Sequence, residues 1–246
     1  MMNPSFIMSK MREYPDRKMG GNVKIIFWGS DRMCSIGMNI LALAGYLVCQ
    51  KSYRVTIFEM TKEPCNLAEY FPGTHKKYAK EYIDTLIEKG LYYVSRPVSK
   101  QIMERIEWNM DVVFVNLANR TDEEAKRMMK EADVLVVNLN QDEMSFDRFF
   151  RQYANLSARI VLLLGNYLED AACNKSYLQN KYRISDEHIA VIPFSREFQL
   201  ACEQGRIETY MRPKRKALMT KTKRNFIKEL ENLAQLLFKK RKRDDA

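Results

Sequence analysis

The residues with the clearest chemical geometry lie between positions 23 and 50, where an apolar strand (23–28), a loop (29–37) and an apolar helix (38–50) follow one another. A strand that runs through a short loop into a helix is a place to cradle phosphate, because the free N–H groups of the helix start and the helix dipole both face the loop. The working form of such a loop reads G-x-x-x-x-G-K-[ST]. Its glycines let the backbone wrap the phosphates, its lysine reaches the β and γ oxygens, and its hydroxyl holds magnesium. Here the loop reads Gly29-Ser30-Asp31-Arg32-Met33-Cys34-Ser35-Ile36-Gly37. Counted back from the helix, Ser35 stands where the second glycine belongs, Ile36 where the lysine belongs and Gly37 where the hydroxyl belongs. Gly29, Ser30, Arg32, Ser35 and Gly37 are therefore vestigial phosphate-side candidates, with Arg32 the cation available to replace the lysine.

Other chemistry is sparse. Strand 111–117 ends in Asn116, and an amide supplies no negative charge for magnesium. Strand 54–58 ends at Glu59, which reads as a solvated strand-end acid. The two histidines, His75 and His188, have no partner pattern for a nucleophile and base. The five cysteines are odd in number, spread out and never in C-x-x-C spacing. This points to reduced thiols in a cytoplasmic compartment and away from a zinc site.

The order of segments carries more than any one motif. FWGSDRMCSIGMNILALAGYLV is followed by YRVTIFEM, DVVFVNLANRTDEEAKRMMKEADVLVVNLNQD, RIVLLLGNY and IAVIPFSREFQLACEQG. Over roughly residues 23 to 211 the chain resembles the MinD/ParA family of deviant P-loop ATPases, especially the CpaE/TadZ-like branch. The resemblance implies a three-layer α/β/α sandwich around a mostly parallel sheet. It implies that Asn166, at the end of strand 159–164, stands where the family hydrogen-bonds adenine, and that Pro193 lies in the loop beside the base. It also implies that Glu59 keeps one acid of a D-x-D pattern and that Asn116 replaces a magnesium-binding aspartate. Asn166 reads equally well as a cap for the next helix. About 22 residues precede the first strand, a departure from a branch whose members carry a receiver-like amino-terminal domain.

The elements that must position these residues follow from pattern and length. At 246 residues and 46% hydrophobic content, the chain supports one large core. Residues 1–22 read as a loosely ordered extension, 23–211 as the α/β domain and 212–246 as a basic helix and tail. The net charge of +10 is local: residues 212–246 carry 13 Lys/Arg against 4 Asp/Glu, and the other 211 carry 28 against 27. Within the domain, helices are expected at 75–89, 99–109, 121–130 (with Thr121 and Glu124 in capping-box spacing), 145–153 and 196–210. The aromatic face of Phe146, Phe149 and Phe150 reads as core or subunit contact. From Lys214 onward, Phe226, Leu230, Leu233 and Leu237 form one helical face, followed by Lys239, Lys240, Arg241, Lys242 and Arg243. Two readings stand open: a last helix packed on the domain, or an amphipathic helix on anionic membrane. No run reaches the ~20 apolar residues of a membrane span.

Loss of the lysine, the hydroxyl and the strand-end acid together removes the positioned charge on which phosphoryl transfer depends. The expected function is a non-catalytic scaffold or localisation factor for a cytoplasmic or membrane-associated assembly, such as the pilus and secretion machinery that TadZ-like proteins place. The alternatives are a nucleotide-binding switch with an altered loop, retaining ATP or ADP, and a ParA-like DNA partition protein. The expected partners are protein components of an assembly, a second copy of the chain, and an anionic membrane or DNA engaged through the tail.

Overall fold

The computed structural model of the chain describes residues 22–30, 35–61, 67, 83–87, 90–94, 100–153, 159–212 and 219–238. Its runs of consecutive apolar residues become parallel strands covered on both faces, and one antiparallel strand of mixed sequence joins them at an edge. These are β1 (Val23–Gly29), β2 (Val55–Glu59), β3 (Ile83–Ile87), β4 (Leu91–Val94), β5 (Val112–Ala118), β6 (Val134–Leu139), β7 (Ile160–Tyr167) and β8 (Ile189–Pro193). They form one sheet in the order β3-β4-β2-β5-β1-β6-β7-β8. Neighbours are parallel throughout except at the edge pair of β3 with β4.

Helices cover both faces. They are α1 (Ile36–Lys51), α2 (Lys100–Glu107), α3 (Glu123–Lys130), α4 (Glu143–Tyr153), α5 (Lys175–Tyr182), α6 (Arg196–Glu203), α7 (Ile207–Met211) and α8 (Lys221–Phe238). Side-chain alternation along each strand decides the partners. Ile25 and Phe27 of β1 join a cluster with α1, α6, α7 and α8, while Ile26 and Trp28 join a second cluster with α2, α3, α4 and α5. The expected three-layer α/β/α sandwich is thus the observed architecture. Phe146 and Phe149 are buried in the second cluster, and Phe146 stacks on Tyr182 with ring centroids 5.3 Å apart.

Several local expectations need correction. The last part of the expected helix at 75–89 is strand β3. Its sequence alternates β-branched Ile83, Thr85 and Ile87, and the short connection to Leu91 returns the chain to pair antiparallel with β4. The rest of that helix, with His75, lies outside the described residues. Helix α3 is capped by Asp122 rather than Thr121, the carboxylate accepting from the Ala125 N–H at 3.1 Å. The single helix expected over 196–210 breaks at Gly205, whose φ of 64° ends α6 before α7 begins. Helix α5 was not anticipated; its cap is Asn174, which accepts from the Tyr177 N–H at 2.9 Å.

Of the two open readings of the C-terminal helix, the structure takes the first, a helix packed on the domain, as α8. Phe226, Leu230, Leu233 and Leu237 are each at most 2% exposed, packed with α1, α6 and α7 over the sheet. Burying side chains of this size contributes about 1.5–3 kcal/mol each. That face seals the core and is not available to lie on a membrane, so the helix is the last layer of the domain. Lys239, Lys240, Arg241, Lys242 and Arg243 lie outside the described residues. Among the described residues no helix is long and apolar enough to cross a membrane.

Candidate functional site

The chain crosses from one half of the sheet to the other at β1, which lies between β5 and β6. In open α/β sheets the crevice at the carboxyl ends of such strands is where ligands bind. Gly29 ends β1 there, buried and in register with Asn138 of β6. Ser30 follows, with its Oγ 3.4 Å from the Ser145 Oγ. Arg32 lies outside the described residues. Ser35 precedes α1 in the left-handed region at φ 49°, a conformation that costs a non-glycine residue roughly 1–2 kcal/mol. Helix α1 begins at Ile36, two residues earlier than expected, so Gly37 sits in its first turn instead of in the loop.

Asn166 and Pro193 converge on this point. Strand β7 continues past Leu164 to Tyr167, and the pairing with β8 shifts between Leu164 and Tyr167, where Asn166 takes φ 49°. Its Nδ2 donates to the Ser35 Oγ at 2.6 Å. Asn166 therefore ties the loop to β7 and does not cap the next helix, a task held by Asn174. Ser35, Asn166 and Pro193, far apart in sequence, line one pocket of about 220 Å³ with Met38, Phe194 and Phe198. Pockets for drug-sized ligands span about 300–1,000 Å³. The described pocket has room for a ring system.

The strand-end acid is the feature that differs most from expectation. Register pairs Glu59 of β2 with Asn116 of β5. Glu59 is not solvated: it is 3% exposed, and the Asn116 Nδ2 donates to both of its carboxylate oxygens, at 3.0 and 3.3 Å. The Tyr93 hydroxyl, from β4, donates to Oε2 at 3.3 Å. Burial raises the Glu59 carboxyl to about 7, outweighing the hydrogen bonds from Thr61, Asn116 and Tyr93 that favour its charged form. The other end of the Asn116 amide is also used, Oδ1 accepting from the Ala118 N–H at 3.0 Å. Arg120, the nearest fixed cation in sequence, is taken up internally by Asp122, Glu124 and the Met60 carbonyl.

These contacts test the magnesium that the resemblance implies. At the two positions that would supply its ligands, Gly37 has no side chain and Asn116 offers an uncharged amide already hydrogen-bonded at both ends; Ile36, where the lysine would reach the phosphates, is apolar and buried. The residues present do not fit the ion, and no group of three or more His, Cys, Asp and Glu converges elsewhere among the described residues.

Sequence reasoning missed a second set of amides. Asn39, 2% exposed in α1, donates through Nδ2 to the Asn138 Oδ1 at 2.8 Å, and the Asn138 Nδ2 donates to the Trp28 carbonyl at 3.1 Å. The bridge pins the first turns of α1 to the ends of β1 and β6. Gly165 makes it possible: a Cβ there would lie 2.4 Å from the Asn39 Nδ2. The available signal was an asparagine inside the otherwise apolar strand VLVVNL and another in the apolar helix, since buried amides occur where they are partnered.

Comparison with known proteins agrees with the topology. A ParA family ATPase from Chlorobium tepidum TLS matches with a TM-score of 0.62 at 11% identity, over 88% of this chain and 98% of that one. The septum site-determining protein MinD from Pyrococcus horikoshii OT3, complexed with Mg-ADP, matches with 0.62 at 14% identity, over 89% and 100%. A chain of the MinC:MinD cell division protein complex from Aquifex aeolicus matches with 0.64 at 11% identity, over 86% and 95%. No protein-family profile and no curated protein sequence matches the chain, so the likeness is one of three-dimensional structure. With β1 at the crossover, α1 leaving the phosphate-loop position and α8 closing the same face, the chain has the fold of the MinD and ParA P-loop ATPases.

Proposed function

We propose that this chain is a pseudo-ATPase: a MinD/ParA-like fold used as a scaffold or localisation factor for a cytoplasmic or membrane-associated assembly, of the kind the CpaE/TadZ resemblance suggests. The observation that carries the reading is the pairing of Glu59 with Asn116. A carboxyl raised to about 7 and held by an amide is only partly charged at neutral pH, and the amide, whose oxygen already accepts from the Ala118 N–H, brings no charge to a metal. Phosphoryl transfer is catalysed by positioned charge, and the described residues at this end of the sheet hold little of it in reach of a phosphate. The neighbour from the MinC:MinD complex supports a protein component of an assembly as partner, with a second copy of the chain as the other candidate.

The 220 Å³ pocket at Ser35, Asn166 and Pro193 favours a second reading. In that reading the chain holds a base-like ring there and acts as a switch without hydrolysis.

The two readings separate in one set of measurements. The purified chain is expected to release no phosphate from Mg-ATP above a mock preparation. Hydrolysis that follows the protein through two chromatographic steps overturns the first reading. Calorimetry with ADP decides the second: binding lost in Asn166→Ala supports it, and the absence of heat removes it.

A further inference from the structure

The face that carries the Ser35 pocket holds a second concavity at the far end of α1. Ser35 precedes that helix, and Tyr46 begins the groove eleven residues later, roughly 16 Å along the axis at 1.5 Å per residue. There α1, α7 and α8 enclose about 650 Å³, inside the ~300–1,000 Å³ range of small-ligand sites. The floor is apolar: Tyr46 and Met211 are buried, and Met219 and Ile227 are half-buried.

The rim is basic. Lys51 ends α1, Arg212 follows α7, and Arg224 and Lys228 stand one turn apart on α8. Glu231 is the one acid among the described residues that line the groove. It pairs with Lys51 at 3.2 Å, and Arg212 pairs with Glu208 at 3.4 Å. Arg224 and Lys228 make no ion pair among the described residues. Like charges four residues apart destabilise a helix, a cost that a bound anion would relieve. Low-dielectric walls around a concavity strengthen its field, and a guanidinium beside an ammonium matches a phosphate dianion in shape and charge.

We propose that this groove binds a phosphate monoester carried on an apolar body, with the phosphate on Arg224 and Lys228 and the body over Tyr46, Met211 and Ile227. The site is independent of the Ser35 pocket and of whether that pocket takes a nucleotide. The ester's source is either a soluble metabolite or the headgroup of an anionic lipid, and the test has an arm for each.

The full chain, labelled with ¹³C at its methionine methyls and assigned by Met211→Leu and Met219→Leu, is titrated with dihexanoyl phosphatidic acid below its micelle concentration, and in parallel with inorganic phosphate. The expected result is a saturable shift of the Met211 and Met219 signals by the phospholipid, at lower concentration than by phosphate. Each of Arg224→Glu and Lys228→Glu should weaken binding about tenfold or more. Both positions are exposed, so an unchanged melting temperature confirms the fold, and Arg224→Ala and Lys228→Ala serve where a reversal unfolds the chain. No saturable shift, or shifts that these variants leave unaltered, overturn the proposal. Vesicles containing phosphatidic acid identify the source. Sedimentation lost in the same variants assigns a lipid headgroup, soluble binding without sedimentation assigns a soluble ester, and sedimentation that survives the variants without soluble binding overturns the groove as the site.

Discussion

Replacing Glu59 by Gln should change how the stability of this protein depends on pH, and the size of the change follows from its surroundings. The carboxyl stands at about 7 in the folded chain against 4.5 for an ordinary glutamate. A difference of ~2.5 units corresponds to about 3 kcal/mol at ~1.36 kcal/mol per unit. Because the folded value is raised, the native state binds the extra proton. The contribution is fully present below pH ~4.5 and is lost as pH rises through ~7. Glutamine keeps an acceptor for the Asn116 Nδ2 and never ionises, so the variant should match the wild type near pH 4.5 and exceed it by about 3 kcal/mol at pH 8.5. In a chain of this length that is roughly 6 °C in melting temperature. Urea unfolding of both proteins across this range isolates the effect, because every other titrating group is shared. A stability difference that stays flat with pH would refute the account. So would a wild type that gains on the variant as pH rises, since it would mean that the amide and phenol donors outweigh burial.

Two further substitutions probe the elements that support the site. Gly165→Ala places a methyl 2.4 Å from the Asn39 Nδ2 and 2.6 Å from its Oδ1; breaking the bridge to Asn138 should cost about 1–3 kcal/mol for the unpaired buried amides, and a loss below ~0.5 kcal/mol in urea unfolding would show that the bridge can relax. Leu233→Ala in α8, fully buried in the wild type, should lose about 2–5 kcal/mol; a thermal unfolding midpoint unchanged by it would refute the packing of α8 on the core.

Much of the architecture was legible because parallel sheets write themselves as continuous apolar runs. IIFW, VVFV, VLVV and VLLL admit few readings other than strands covered on both faces. The missing lysine and hydroxyl were equally plain, because a phosphate loop is a local motif and each letter has its own task. Strand β3 was not legible, since a short amphipathic stretch suits either period until an edge strand offers its hydrogen bonds.

The chemistry of the site depended on register and burial, which no local pattern carries. Glu59 and Asn116 are 57 residues apart, and only the pairing of β2 with β5 sets the acid against the amide; desolvation then turns an apparently solvated carboxylate into a group titrating near neutrality. Asn39 and Asn138, 99 residues apart, become partners only because Gly165 leaves the space between α1 and the sheet. The direction of α8 was decided in the same way. An amphipathic sequence states that one face must leave water, and the open side of α1, α6 and α7 determined that the face closes the core.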